Sequence, residues 1–162
     1  MKYSGLIMND ISGAPGLSVS FFVQGCPIKC PGCHNPEAQD FDGGLDFTPD
    51  VLDTIIQGLT AQGIERNLCI MGGEPLCMEN AFLTLLVIQY VKERLPNTKV
   101  YVWSGYTYEQ LKKSVYPKVH EVLALADYLI DGPYMEDLRD ITLDMRGSSN
   151  QKIIDLKREK GE

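Results

Sequence analysis

Cys26, Cys30 and Cys33 fall within eight residues, in Gly-Cys-Pro-Ile-Lys-Cys-Pro-Gly-Cys-His-Asn, and no fourth cysteine stands nearby. Three soft thiolates from one short loop suit a cubane iron-sulfur cluster. Held this way, the cluster keeps one iron free of protein, whereas an electron-transfer cluster normally closes its sites with cysteines. A free iron can bind a substrate, so the spacing points to chemistry. The alternative is a structural zinc loop, since Cys3His sites are common and His34 is close. Cys33 and His34 are adjacent and point in different directions, so zinc would need a distant fourth ligand such as His120.

A second group of candidates surrounds Gly72-Gly73-Glu74-Pro75. A glycine pair after a strand is a turn in its own right, and Glu74 also reads as a carboxylate at the start of the next helix. Cys69, in an apolar run, fits a small buried hydrophobe, while Cys77 is nearer the turn and open to redox chemistry. Ser104 and Asp131 are polar residues at strand ends, and residues 146–151, Arg-Gly-Ser-Ser-Asn-Gln, either turn the chain or make a contact.

The elements that must position these residues alternate. Residues 18–24 form a β-rich run leading straight into the cysteine loop. Thr48 and Pro49 make a helix start, followed by Val51, Leu52, Ile55, Ile56 and Leu59 at helical period. A strand over 67–71 ends in the glycine turn, and a long helix over 80–94 stops before Pro96. Phe82, Leu85, Leu86 and Val91 are its expected core residues. A strand over 99–103, short helices over 108–113 and 118–126, and a strand over 127–130 follow. Strand-helix alternation implies an α/β fold with a mostly parallel sheet. A complete eightfold barrel needs about 250 residues, so a chain of 162 can build only an open, partial barrel. Ligands of such sheets sit beyond the carboxyl ends of the strands. The cysteine loop, the glycine turn, Ser104-Gly105 and Asp131-Gly132 are therefore expected on one rim.

The length favours one domain, residues 1–154, with a charged and frayed tail over 155–162. A net charge of −7 disfavours nucleic acid and anionic membranes. The amino terminus lacks a signal-peptide pattern and no run is long and apolar enough to span a bilayer, so a cytoplasmic location is expected. Thiols stay reduced there, and five cysteines, three of them clustered, then favour metal or catalysis over disulfides.

The Cys-x3-Cys-x2-Cys spacing, His34-Asn35 and Gly72 to Pro75 resemble the radical S-adenosylmethionine enzymes. Within them, Pro15-Gly16, Phe21-Phe22-Val23-Gln24-Gly25-Cys26, Pro31-Gly32-Cys33, Trp103-Ser104-Gly105-Tyr106, Asp131-Gly132 and the closing Arg146 to Gln151 resemble the activases of anaerobic ribonucleoside-triphosphate reductases. The resemblance implies a partial barrel of the radical S-adenosylmethionine type. It implies a 4Fe-4S cluster on Cys26, Cys30 and Cys33, with S-adenosylmethionine on the fourth iron. Gly32, Cys33, His34, Asn35, Gly72, Gly73 and Glu74 would contact that cofactor, the glycines by letting backbone carbonyls approach the methionine ammonium. His34 would pack beside the adenine, its alternative being a surface histidine. The implied product is a glycyl radical on the reductase, with reduced flavodoxin or a ferredoxin-like protein as electron donor. Ser18 and Pro133 stand where members of the family often carry basic residues, which weakens the expectation of a side-chain cation gripping cofactor or partner there. The other readings are an activase of the pyruvate formate-lyase type, a non-catalytic iron-sulfur carrier and a zinc-stabilised module.

Overall fold

A computed structural model describes residues 1–161. Its strands are β1 (Lys2–Asp10), β2 (Ser18–Val23), β3 (Leu45–Asp46), β4 (Asn67–Gly72), β5 (Val100–Trp103), β6 (Tyr128–Asp131) and β7 (Lys152–Asp155). They form one open sheet in the order β3-β1-β2-β4-β5-β6-β7. The centre, β2-β4-β5-β6, is parallel, as the alternation requires. Both margins are antiparallel, β1 pairing with β2 and β3 on one side and β7 with β6 on the other.

Strand periodicity sorts the side chains onto two faces. Val19, Phe21, Leu68, Ile70, Val100, Val102 and Leu129 pack in the larger core, whereas Cys69, Tyr101 and Ile130 pack in a smaller cluster with Met71, Trp103 and Tyr128. The helices are α1 (Pro49–Thr60), α2 (Met78–Arg94), α3 (Tyr108–Lys112), α4 (Pro117–Leu125) and α5 (Leu156–Glu159). All contribute to the larger core, through Ile55, Ile88, Leu111, Val122 and Leu156 among others. Each fully buried Leu, Ile or Phe contributes about 1.5–3 kcal/mol. With the helices on one face, the opposite face is free to line a site where it reaches the carboxyl ends of the strands. Among the described residues no helix is long and apolar enough to cross a membrane.

Three expectations need correction. Strands β1, β3 and β7 were not foreseen. The stretch expected to fray begins in packed structure: Asp155 ends β7, its carboxylate accepts from Lys157 N and Arg158 N, and Leu156 is 1% exposed, while residues 158–161 are exposed. Glu162 lies outside the described residues. On α2, Leu85 and Val91 are buried, but Leu86 is only half-buried and Phe82 is 51% exposed, with the Lys118 ammonium over its ring.

Candidate metal and cofactor site

The cysteine loop leaves the end of β2 and is pinched at its base. Gln24 Nε2 donates to Glu37 O (2.9 Å) and Asp40 O (2.6 Å), and its Oε1 accepts from Ser4 Oγ (2.5 Å). Backbone bonds from Gly25 N to Ala38 O and from Cys26 N to Gln39 O close the neck. Inside the loop, Cys33 N donates to Cys30 O and Asn35 N points at Cys33 Sγ (3.4 Å). The neck fixes where the loop stands. Gln24, 4% exposed, is a positioning residue that spacing did not single out.

Gly72-Gly73 lies directly against this neck. Gly72 has φ +106°, and a Cβ there would sit 2.6 Å from Val23 O; a Cβ on Gly73 would run into Gly25 O. Gly73 N donates to Val23 O and Glu74 N to Gly25 O, both at 2.8 Å, and Asn80 Nδ2 also donates to Gly25 O (3.0 Å). Both glycines are thus needed for the turn to touch the base of the loop.

Glu74 is 1% exposed. Its Oε2 accepts from Leu76 N and Ser104 Oγ, each at 2.8 Å, and its Oε1 from Gly105 N at 2.6 Å. One carboxylate therefore joins the turn after β4 to the turn after β5. Burial pushes its pKa up to about 7, against the lowering effect of those three donors. The folded state holds the proton over a range in which the unfolded chain, at 4.5, has lost it. The contribution of Glu74 to stability is therefore fully present below pH 4.5 and is lost as pH rises from 4.5 to about 7. The change is on the order of 3 kcal/mol. Urea unfolding of the cluster-free chain should show this decline in the wild type and a much shallower one in Glu74→Gln; equal slopes would mean that Glu74 titrates normally.

Cys26, Cys30, Cys33, His34 and Asn35 line a cavity of about 450 Å³ together with Gly72, Gly73, Glu74, Ser104 and Gly132, with Phe22, Met71 and Trp103 as its apolar wall. The cavity lies at the carboxyl ends of the parallel strands, and the four segments expected on one rim meet there. A larger cavity of 560 Å³ opens at the amino ends, beside Leu17, Asn67 and Lys99, and contains none of the cysteines. The three loop thiols are half-buried, and burial pushes that of Cys26 up. Among the described residues, no three His, Cys, Asp or Glu side chains are gathered at metal-binding spacing.

Gly32 does not line this cavity. Its φ is +73°, and the Glu136 carboxylate occupies the space a Cβ would need. Asp131 is turned to backbone, accepting from Tyr108 N (2.7 Å) and Lys152 N (3.2 Å). Cys77 is 2% exposed, with its thiol on Glu74 O and its pKa pushed up to about 12 by burial, so it stays a protonated thiol. Cys69 is fully buried in the smaller apolar cluster. His120 is bonded to Ser114 O, away from the cavity. Of residues 146–151, Gln151 reaches the cavity wall, as does Tyr134, which the sequence reading did not select.

Residues 11–154 match a family model described as a 4Fe-4S single cluster domain. The anaerobic ribonucleoside-triphosphate reductase-activating protein of Escherichia coli (strain K12) is 34% identical over 158 residues, 97% of this chain and 100% of the relative. The protein of that name from Pasteurella multocida is 35% identical over 154 residues, 94% of this chain and 96% of its own. That from enterobacteria phage T4 is 32% identical over 153 residues, covering 94% and 93%. With a cysteine loop and glycine turn on one cavity and matches of this extent, the chain belongs to the 4Fe-4S single cluster family and, within it, to the anaerobic ribonucleoside-triphosphate reductase-activating proteins.

Proposed function

We propose that the chain is a radical S-adenosylmethionine enzyme that installs a glycyl radical on an anaerobic ribonucleoside-triphosphate reductase. The observation that carries this reading is the meeting of three loop cysteines and the glycine turn on one cavity at the carboxyl rim. The donor set fits: three thiols from one loop can hold three irons of a 4Fe-4S cluster and leave the fourth open. When bound, the reduced cluster would supply one electron that splits S-adenosylmethionine into methionine and a 5′-deoxyadenosyl radical, which takes a hydrogen atom from a backbone glycine of the reductase.

The protein's own tasks are binding, aiming and exclusion of water. Cys26, Cys30 and Cys33 are the proposed ligands. Glu74 Oε1 has one protein donor, Gly105 N, and so keeps acceptor capacity for the methionine ammonium beside the backbone of Gly72 and Gly73. His34 and Asn35 line the same space. Phe22, Met71 and Trp103 keep the wall apolar. The open sheet is read as a partial barrel, whose unclosed rim gives a macromolecule access. A reduced flavodoxin or ferredoxin-like protein is the proposed donor, and a cytoplasmic setting suits both partners. The names of the relatives favour this reductase over an enzyme of the pyruvate formate-lyase type.

The test is anaerobic. Protein reconstituted with iron and sulfide, then reduced and given S-adenosylmethionine, is expected to release 5′-deoxyadenosine. Addition of the reductase should then produce a glycyl radical signal in electron paramagnetic resonance. A fully loaded cluster that yields no 5′-deoxyadenosine would refute the proposal.

A further inference from the structure

Tyr134 stands on the cavity wall, and the polar run 147–151 is built around it. Gly147 packs against its ring, where a Cβ would meet Cδ2 at 3.0 Å and Cε2 at 3.2 Å. Both chain neighbours of Tyr134 are tied to the same run. Asn150 Nδ2 donates to Pro133 O (2.7 Å), and Met135 N donates to Ser148 Oγ (3.1 Å). Gln151 clamps the run itself, since its Oε1 accepts from Gly147 N (2.9 Å) and Ser148 N (3.1 Å) while its Nε2 donates to Gly132 O (3.0 Å) at the end of β6.

Tyr134 belongs to neither apolar cluster of the fold, so these ties do not serve core packing. They hold a half-buried ring at the mouth of the cavity, its centroid 4.7 Å from that of His34. His34 is exposed on the cysteine loop, whereas Tyr134 is fixed on both sides. A ring immobilised before binding loses little entropy when a flat π-system stacks on it. S-adenosylmethionine has one such group, its adenine.

We propose that Tyr134 is the ring that receives the adenine and that Gln151 is a positioning residue acting through Gly147 and Ser148. This inference rests on the cavity being an S-adenosylmethionine site. It also gives the motif 147–151 a task.

The test is calorimetric titration of S-adenosylmethionine into the full-length chain carrying an oxidised cluster, so that no cleavage occurs. Tyr134→Ala is expected to raise Kd about tenfold, the usual scale of a lost base-aromatic stack, and Tyr134→Phe to stay within about threefold of the wild type. Gln151→Ala should raise Kd about fivefold. Combined with Tyr134→Ala it should add nothing, because a residue acting only through Tyr134 has no effect once that ring is gone. An unchanged Kd in Tyr134→Ala, equal damage from phenylalanine and alanine, or additive effects in the double variant would each overturn the inference. If the wild type binds and Tyr134→Ala binds equally, only this inference fails; a wild type that does not bind S-adenosylmethionine refutes the proposed function as well.

Discussion

Cys30→Ala is expected to abolish both cluster retention and S-adenosylmethionine cleavage, while Cys69→Ala leaves both largely intact. Cys30 is half-buried on the cavity wall, in the middle of the loop. Its loss leaves two thiols where the proposed cluster needs three. Cys69 is fully buried on the same face of the sheet but lines no part of the cavity. Replacing its thiol costs about 1 kcal/mol of packing and removes no ligand. Iron and sulfide content, visible absorption and 5′-deoxyadenosine yield distinguish the two variants. Equal losses in both would contradict the ligand assignment.

Gly73→Ala should be the most damaging change to the framework of the site. The new methyl group would meet Gly25 O and Ala38 O, two backbone atoms of the neck that cannot swing aside as a side chain could. Forcing the turn away costs about 3 kcal/mol and strains the Gly73 N to Val23 O and Glu74 N to Gly25 O bonds that seat the loop. For a chain of this size that corresponds to a fall of roughly 6–12 °C in Tm, with poorer cluster loading. Gly5→Ala is the control, because a Cβ there meets nothing within 4 Å. Its effect should stay within about 0.5 kcal/mol. Thermal unfolding followed by circular dichroism compares them, and a Gly73→Ala protein as stable as Gly5→Ala would disprove the close approach.

The parallel centre of the sheet was legible because β2, β4, β5 and β6 are runs of apolar residues punctuated by glycine or proline, and α1 announces itself with Thr48-Pro49. Strand β1 was not. It includes Gly5 and ends in Asn9-Asp10, and as a half-exposed strand it has no sharp alternation to read. β7 is four residues long with a charge at each end, too short for a pattern. On α2, apolar residues occupy most of the helix, so periodicity could not separate exposed Phe82 from buried Leu85. The cysteine loop and glycine turn were legible by spacing and by resemblance. Tyr134 was not, and Gln24 and Gln151 stood out only as members of longer motifs, because a side-chain clamp between distant backbone segments has no signature along the sequence. Asp131 looked like a ligand-facing residue for the opposite reason: its position after a strand was visible, and its two backbone partners were not.

The margins of the sheet also bear on how the chain behaves among copies of itself. An open sheet exposes unpaired N–H and C=O groups that invite another strand, and long flat edges lead to aggregation. Here one margin is two-residue β3, which pairs only with Lys2 and Tyr3 of β1 and carries the Lys2–Asp46 ion pair at 2.7 Å, so beyond Tyr3 the edge is β1 itself, with Ile7 and Met8 exposed. The other, β7, is four residues long, begins at exposed Lys152 and passes at once into α5. An added strand would therefore find its longest run of unpaired groups along β1 beyond Tyr3, a margin that contributes none of the residues lining the cavity.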